Sequence, residues 1–248
     1  MLRPEEATCE IAGVASQVNL HLGTHRTGTT SLQRFLADNR DGVVREAGYR
    51  YPVGMVHPES QIELGLASLR PARLQEVAPL SDRLLTELGH DARTVDPVWA
   101  ERIRSDVASS SSDKLLYSCE NLSWIRHPDE LDSLLALFPG ADITAVLFTR
   151  DPDDFLASYA AMSRFLISAD NTDPDSVWNV GPATWLIDYE ERIRLWRDAL
   201  GADHLHVFSY EDCVRADGST IPTVLDVLGI DREVIAGSSA YFLNGRPT

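Results

Sequence analysis

Lysine is almost absent from this sequence of 248 residues. Lys114 is the only one, so the 22 basic side chains are otherwise arginine. A phosphate-handling lysine is therefore excluded everywhere but position 114. Positive charge is scarce as a whole: 38 acidic residues leave a formal charge of −16. Such a field repels nucleic acid and anionic membrane, so neither is expected as a partner. An anionic ligand would have to be held by a local cluster of donors. Cysteine is rare as well. Cys9, Cys119 and Cys213 are odd in number and widely spaced, which suggests reduced thiols rather than a disulfide framework. No His/Cys cluster has zinc spacing, and no metal is expected. No apolar run approaches the roughly 18–20 residues that a membrane span needs. The first sixteen residues carry three acids and no sustained apolar stretch, unlike a signal peptide. These absences point to a cytoplasmic protein. What is present, 44% hydrophobic residues, suffices for a sizeable core and excludes wholesale disorder.

Four short segments crowd apolar residues without helical period and read as buried strands: Val18–Leu22, Leu115–Cys119, Ile143–Thr149 and Leu205–Tyr210. Helical patterns lie between them. Ser31–Ala37 places Leu32, Phe35 and Leu36 on one face. Ala183–Leu200 places Leu186, Tyr189, Ile193 and Trp196 on one stripe and meets Gly201 where a helix should stop. Asp151, Pro152 and Asp154 mark a helix start. Strands alternating with helices predict an α/β fold, a parallel sheet flanked by helices. No Pro/Gly-rich linker divides the chain, so residues 1–248 read as one domain. Residues 55–112 are helical, polar and strand-poor, the pattern of a helical insertion or lid. Ser109–Ser112 reads as a loop tip.

The most informative stretch runs from the first strand into the first helix, V-N-L-H-L-G-T-H-R-T-G-T-T-S-L-Q-R-F-L over Val18–Leu36. A loop bounded by Gly23 and Gly28 points backbone N–H groups at one spot, and the helix N-terminus adds partial positive charge. The hydroxyls of Thr27, Thr29 and Thr30 supply further donors. The plain alternative is an ordinary strand-to-helix turn, in which glycine and threonine are common. A nucleotide-triphosphate P-loop reads G-x-x-x-x-G-K-[ST]. Gly23 and Gly28 have that separation, but Thr29 occupies the lysine position. The G-x-G-x-x-G dinucleotide fingerprint is absent. The cation sits inside the loop, at Arg26.

Here the chain resembles the sulfotransferases that use 3′-phosphoadenosine 5′-phosphosulfate (PAPS), whose 5′-phosphosulfate loop reads approximately [T/H]-x-[K/R]-[ST]-G-T-[ST]. This chain has Thr24-His25-Arg26-Thr27-Gly28-Thr29-Thr30, and Ser31-Leu32-Gln33 is similar to the bacterial and carbohydrate-type branch. The family usually has lysine at position 26. Arginine keeps the charge and adds a planar fork of donors, but it cannot give up a proton. A second block, A-V-L-F-T-R-D-P-D-D-F-L-A-S over Ala145–Ser158, is similar to the family's 3′-phosphate motif and implies Arg150 and Ser158 as its ligands. Arginine at a strand end can grip phosphate bidentately, and Ser158 lies about two helical turns past Asp151, on the same face. Taken separately, a salt-bridged Arg150 and a solvent-facing Ser158 are the plainer readings. A third block, V-F-S-Y-E-D-C over Val207–Cys213, is similar to the family's late strand and implies Tyr210 at the adenine edge; the alternative is a core tyrosine. The tail Y-F-L-N-G-R places Arg246 where relatives close a loop over the 3′-phosphate. The Arg-Lys-Gly of the cytosolic branch is missing, and so is the tryptophan it places after the first loop.

The resemblance implies transfer of a sulfuryl group from PAPS, without a metal, to a hydroxyl or amine of a small-molecule or saccharide acceptor. Cations near the leaving phosphate and a base for the acceptor proton are then needed. Arg26, Thr29 and Thr30 suit the first task. Glu120, at the end of the second strand, is the first candidate for the base, because carboxyl ends of strands in open α/β sheets face the ligand crevice. It could equally cap the next helix. His25 and His57 are reserves. Trp99, Trp124, Phe165 and Trp178 are candidate aromatic walls for an acceptor pocket or, equally, core residues. Two rival readings are a P-loop kinase or nucleotide hydrolase lacking its lysine, and a non-catalytic nucleotide-binding protein.

Overall fold

The computed structural model describes residues 15–74, 86, 97–163 and 176–235. The chain forms a five-stranded sheet in the order β2-β3-β1-β4-β5, all pairs parallel. Its strands are β1 (Gln17–Gly23), β2 (Tyr49–Arg50), β3 (Lys114–Ser118), β4 (Asp142–Thr149) and β5 (Leu205–Ser209). The helices are α1 (Thr29–Asp38), α2 (Val43–Glu46), α3 (Glu63–Ser68), α4 (Pro97–Ala108), α5 (Pro128–Leu135), α6 (Pro152–Ser163), α7 (Tyr189–Leu200), α8 (Tyr210–Asp217) and α9 (Ile221–Leu228), with short 3-10 turns between some of them. The α/β expectation holds.

The alternation of side chains along the central strands assigns the two faces. Val18, Leu20 and Leu22 of β1, Leu115 and Tyr117 of β3, and Ala145 and Leu147 of β4 enter one cluster. Leu116, Val146 and Phe148 enter the other, with Leu32, Phe35 and Leu36 of α1. Burial on both faces is what a parallel sheet covered by helices requires. Leu64, Leu66, Trp99, Ile103 and Val107 of the 55–112 stretch belong to the first cluster. The described part of that stretch is thus the crossover from β2 to β3, packed onto the sheet.

Three expectations need correction. A fifth strand, β2, pairs with β3 over only Tyr49 and Arg50, too short for an apolar run to announce it. The helix read over Ala183–Leu200 is broken at Asp188. Thr184 caps a 3-10 turn at Trp185–Ile187, and Asp188 Oδ1 accepts from Glu191 N at 3.0 Å to start α7. The strand read to Tyr210 ends at Ser209, whose hydroxyl caps α8. Asp151 caps α6, accepting from Asp153 and Asp154 N–H at 3.0 and 3.1 Å.

The topology creates the crevice. From central β1 the chain crosses to β2 and β3 on one side, then to β4 and β5 on the other. Ligands of open α/β sheets bind outside the carboxyl ends of strands at such a reversal. The loop after β1, Glu120 after β3, Arg150 after β4 and Tyr210 after β5 all lie at that edge.

Candidate functional site

Local backbone geometry shapes the loop after β1. Gly23 has φ 90°, and a Cβ there would stand 3.3 Å from Cα and Cβ of Glu120. Glycine therefore lets the loop approach the residue that follows β3. Gly28 has φ 78°, and its absent side chain leaves room for Thr220 Oγ1 and Tyr210. Arg26 has φ 65°, a left-handed conformation that costs a non-glycine residue about 1 kcal/mol. It is held there in part by Arg150, whose Nη1 donates to the Arg26 carbonyl at 2.6 Å. Two of the threonines turn inward. Thr24 Oγ1 donates to the Phe148 carbonyl at 3.0 Å, and Thr27 Oγ1 donates to the Thr24 carbonyl at 2.6 Å. The Thr27 hydroxyl braces the loop instead of supplying a donor to the crevice. Thr29 and Thr30 begin α1, which has no acid in its first turn and no side-chain cap from Gly28. First-turn N–H groups of a helix lack intrahelical partners.

Cations gather on one side. Arg26 Nε donates to Ser158 Oγ at 2.8 Å, joining the loop to α6. The Arg150 guanidinium lies 5.1 Å from the Tyr210 ring centroid and 3.9 Å from Glu211 Oε1. Glu211 also accepts from Asp151 N at 3.1 Å, so one carboxylate fixes both Arg150 and the start of α6.

A carboxylate stands beside the start of α1. Glu120 Oε2 accepts a hydrogen bond from Thr29 Oγ1, and its Oε1 lies 3.8 Å from His25 Nε2. The His25 ring is buried, stacked on Trp124 at 4.6 Å and 6° and set edge-on to Tyr159 at 5.8 Å. Burial holds the imidazole below the ordinary histidine range. Glu120 and the Asn121 side chain pull the other way, while Arg192 and Arg26 add to the lowering. Trp124, Trp99 and Trp178 are buried in the core and do not line the open crevice.

These groups enclose a cleft of ≈560 Å³, lined by His25, Arg26, Gly28, Thr29, Thr30, Glu120, Arg150, Asp154, Ser158 and Tyr210 among others. The structure thus brings together Gly23–Thr30, Glu120, Arg150, Ser158 and Tyr210. His57 is elsewhere: it is exposed in the turn before Ser60, where its Nδ1 accepts from Glu59 N at 3.4 Å. Arg246 and Phe165 lie outside the described residues. A hollow of ≈820 Å³ beside β2 holds Lys114 and several arginines. Its Arg40 is committed to the Tyr51 and Pro58 carbonyls and its Arg50 to Asp106. Among the described residues no cluster of His, Cys, Asp or Glu could hold a metal, and no helix is long and apolar enough to cross a membrane. Sequence reasoning missed Ser123, Glu211 and Thr220, and it missed Trp124 as the platform for His25. All four act through contacts between distant segments; Glu211 beside Tyr210, and Ser123 and Trp124 just after Glu120, had neighbouring signals, whereas Thr220 had none.

The family model described as "Sulfotransferase family" matches residues 21–233, a stretch that takes in the loop, Glu120, Arg150, Ser158 and Tyr210. The chain belongs to the sulfotransferase family. Among solved structures, a sulfotransferase domain from the curacin biosynthetic pathway aligns with a TM-score of 0.51 and 14% identity, covering 94% of this chain and 80% of that one. A sulfotransferase from Alicyclobacillus acidocaldarius aligns at 0.48 and 13%, covering 92% of each chain. No curated protein matches the sequence significantly. At such identity the curacin-pathway likeness is one of fold.

Proposed function

We propose that this sulfotransferase takes its sulfuryl group from PAPS and delivers it to a hydroxyl or amine of a small-molecule or carbohydrate acceptor. One observation carries the reading. The bonds Arg26–Ser158 and Arg150–Arg26 gather two guanidiniums and a hydroxyl in the cleft, whose lining also includes the start of α1 and the Glu120 carboxylate bonded to it. The cations suit a ligand with separated phosphate groups; the carboxylate suits removal of a proton.

In this reading Arg26, the first-turn amides of α1 and the hydroxyl of Thr30 receive the 5′-phosphosulfate, while the Thr29 hydroxyl is given to Glu120. Gly23, Thr24, Thr27 and Gly28 set the loop's shape. Arg150 and Ser158 receive the 3′-phosphate, and the Tyr210 ring borders the adenine. The acceptor oxygen or nitrogen bonds to sulfur as the bond from sulfur to the leaving phosphate oxygen breaks. Negative charge grows on that oxygen, and preorganised donors lower the barrier by meeting it there. Arg26 stabilises the charge without giving up a proton. Glu120 takes the acceptor's proton.

The test is calorimetric binding of 3′,5′-adenosine bisphosphate, with 5′-AMP and ATP as controls. The bisphosphate is expected to bind well and 5′-AMP weakly. Arg150→Ala should weaken the bisphosphate about 10- to 100-fold, since a charge-assisted hydrogen bond contributes about 1.5–3 kcal/mol. Tight, magnesium-dependent ATP binding without bisphosphate binding would overturn the donor assignment and favour phosphoryl transfer.

A further inference from the structure

His25 holds a position that the proposed transfer alone does not explain. It lies in the phosphate loop, yet it is 2% exposed and is clamped between Trp124 and Tyr159. Its two nitrogens meet different partners. Nδ1 is 3.4 Å from Ser123 Oγ, and the Ser123 hydroxyl donates its hydrogen to the Glu120 carbonyl at 2.7 Å. A serine hydroxyl has one hydrogen to give. With that hydrogen committed, Ser123 Oγ can meet Nδ1 only as an acceptor, so Nδ1 carries the proton of the neutral ring. Nε2 is then a bare lone pair. It has no hydrogen-bond partner among the described residues and lies 3.8 Å from Glu120 Oε1. The other carboxylate oxygen is already occupied by Thr29 Oγ1.

Two lone pairs facing each other are unfavourable, the more so beside a buried ring, and one proton between them turns repulsion into a hydrogen bond. We propose that His25 is a positioning residue for proton uptake, its Nε2 accepting a hydrogen bond from Glu120 Oε1 once that oxygen has taken the acceptor's proton. This rests on the reading of Glu120 as the base. The acceptor's O–H or N–H bond breaks, an O–H bond forms on Oε1, and that hydrogen is shared with Nε2. The imidazole stays neutral throughout. The groups facing the ring are consistent with a neutral resting state. Burial, Arg192 from α7 and Arg26 from the loop all oppose a charged ring, whereas Glu120 and Asn121 favour one.

The experiment is nitrogen NMR of the full-length protein with ¹⁵N-labelled histidine, His25 being assigned by its loss in His25→Gln. In the free protein at neutral pH His25 should show the Nδ1–H tautomer. Ser123→Ala, which removes the acceptor of that hydrogen, should populate the Nε2–H form. On acidification, Nε2 of wild type should move toward a hydrogen-bonded position while Nδ1 stays protonated and unchanged, and this step should vanish in Glu120→Gln. An Nε2–H tautomer in wild type would overturn the proposal, making His25 a donor that merely orients the carboxylate. So would an Nε2 signal that titrates identically in wild type and Glu120→Gln. If Ser123→Ala fails to fold, the wild-type tautomer and its comparison with Glu120→Gln still decide the matter. None of these signals requires nucleotide. A protein that lacks bisphosphate binding but shows the expected tautomer would refute the donor assignment and leave the histidine geometry standing.

Discussion

At the scale of single residues, the proposed roles separate groups that bind from groups that react. Glu120 lines the same cleft as Arg26 and Arg150, but its contacts are with Thr29 and His25. Removing its charge should therefore spare nucleotide binding and cripple transfer. Glu120→Gln is expected to bind 3′,5′-adenosine bisphosphate within a few-fold of wild type and to lose about 10²- to 10⁴-fold in sulfuryl transfer from PAPS, the usual contribution of a positioned base. Near-normal turnover would remove Glu120 from that role. Gly28→Ala should act oppositely. Its Cβ would need φ near 78° and would stand 3.3 Å from Thr220 Oγ1, so calorimetry should show weakened binding from a distorted loop. Which residues form the loop was legible because glycine, threonine and arginine stand close together in sequence. Which hydroxyls serve it was not legible. Thr24 and Thr27 turn inward because Phe148 and the loop's own carbonyls offer acceptors there, and those partners are a matter of tertiary placement.

At the scale of elements, apolar runs revealed β1, β3, β4 and β5 because each is buried on at least one face. They could not reveal β2, whose two residues join the sheet as an edge. The stripe over residues 183–200 was real, but periodicity cannot see a cap that restarts the helix, and Asp188 is such a cap. Helix α3 holds the largest surprise. Glu63 in its first turn is 3% exposed and accepts from Met55 N at 3.2 Å, while its Oε2 has no hydrogen-bond partner among the described residues. Burial pushes this carboxyl up to about 7 from 4.5. In the unfolded chain the group ionises near its ordinary value, whereas in the folded chain it stays protonated up to about 7. Folding stability therefore falls as pH rises between those values, and the full cost applies above pH 7. By the usual conversion the cost is at most about 3 kcal/mol. Glu63→Gln should flatten that slope and raise Tm at pH 8 relative to wild type by several degrees, since about 1 kcal/mol moves Tm by roughly 2–4 °C at this size. Melting curves at pH 5 and pH 8 check both variants, and an unchanged difference between the two pH values would place the carboxyl in water.

At the scale of the whole molecule, a net charge of −16 surrounds a cleft proposed to bind an anion. The cleft itself is nearly balanced, Arg26 and Arg150 sharing its lining with Glu120 and Asp154. Its attraction is therefore short-ranged and depends on hydrogen bonds, while the repulsion comes from the entire surface. Ionic strength separates the two. The screening length is about 30 Å at 0.01 M and about 10 Å at 0.1 M, so at low salt an approaching ligand feels the whole protein and at higher salt only the groups near the cleft. The association rate of 3′,5′-adenosine bisphosphate should rise between those salt concentrations, the reverse of a sterically similar site on a basic protein. The dissociation rate should rise too, because salt weakens the contacts of partly exposed guanidiniums. Stopped-flow measurement at several salt concentrations separates the rates. An association rate that falls with salt would mean that the guanidiniums steer the ligand despite the surrounding charge, and that the field at the crevice mouth is positive. The same arithmetic explains why composition could argue against nucleic acid yet remain silent about a nucleotide. A polyanion must meet the repulsive surface along its length, whereas a small anion needs only the few donors that the strand order brings to one end of the sheet.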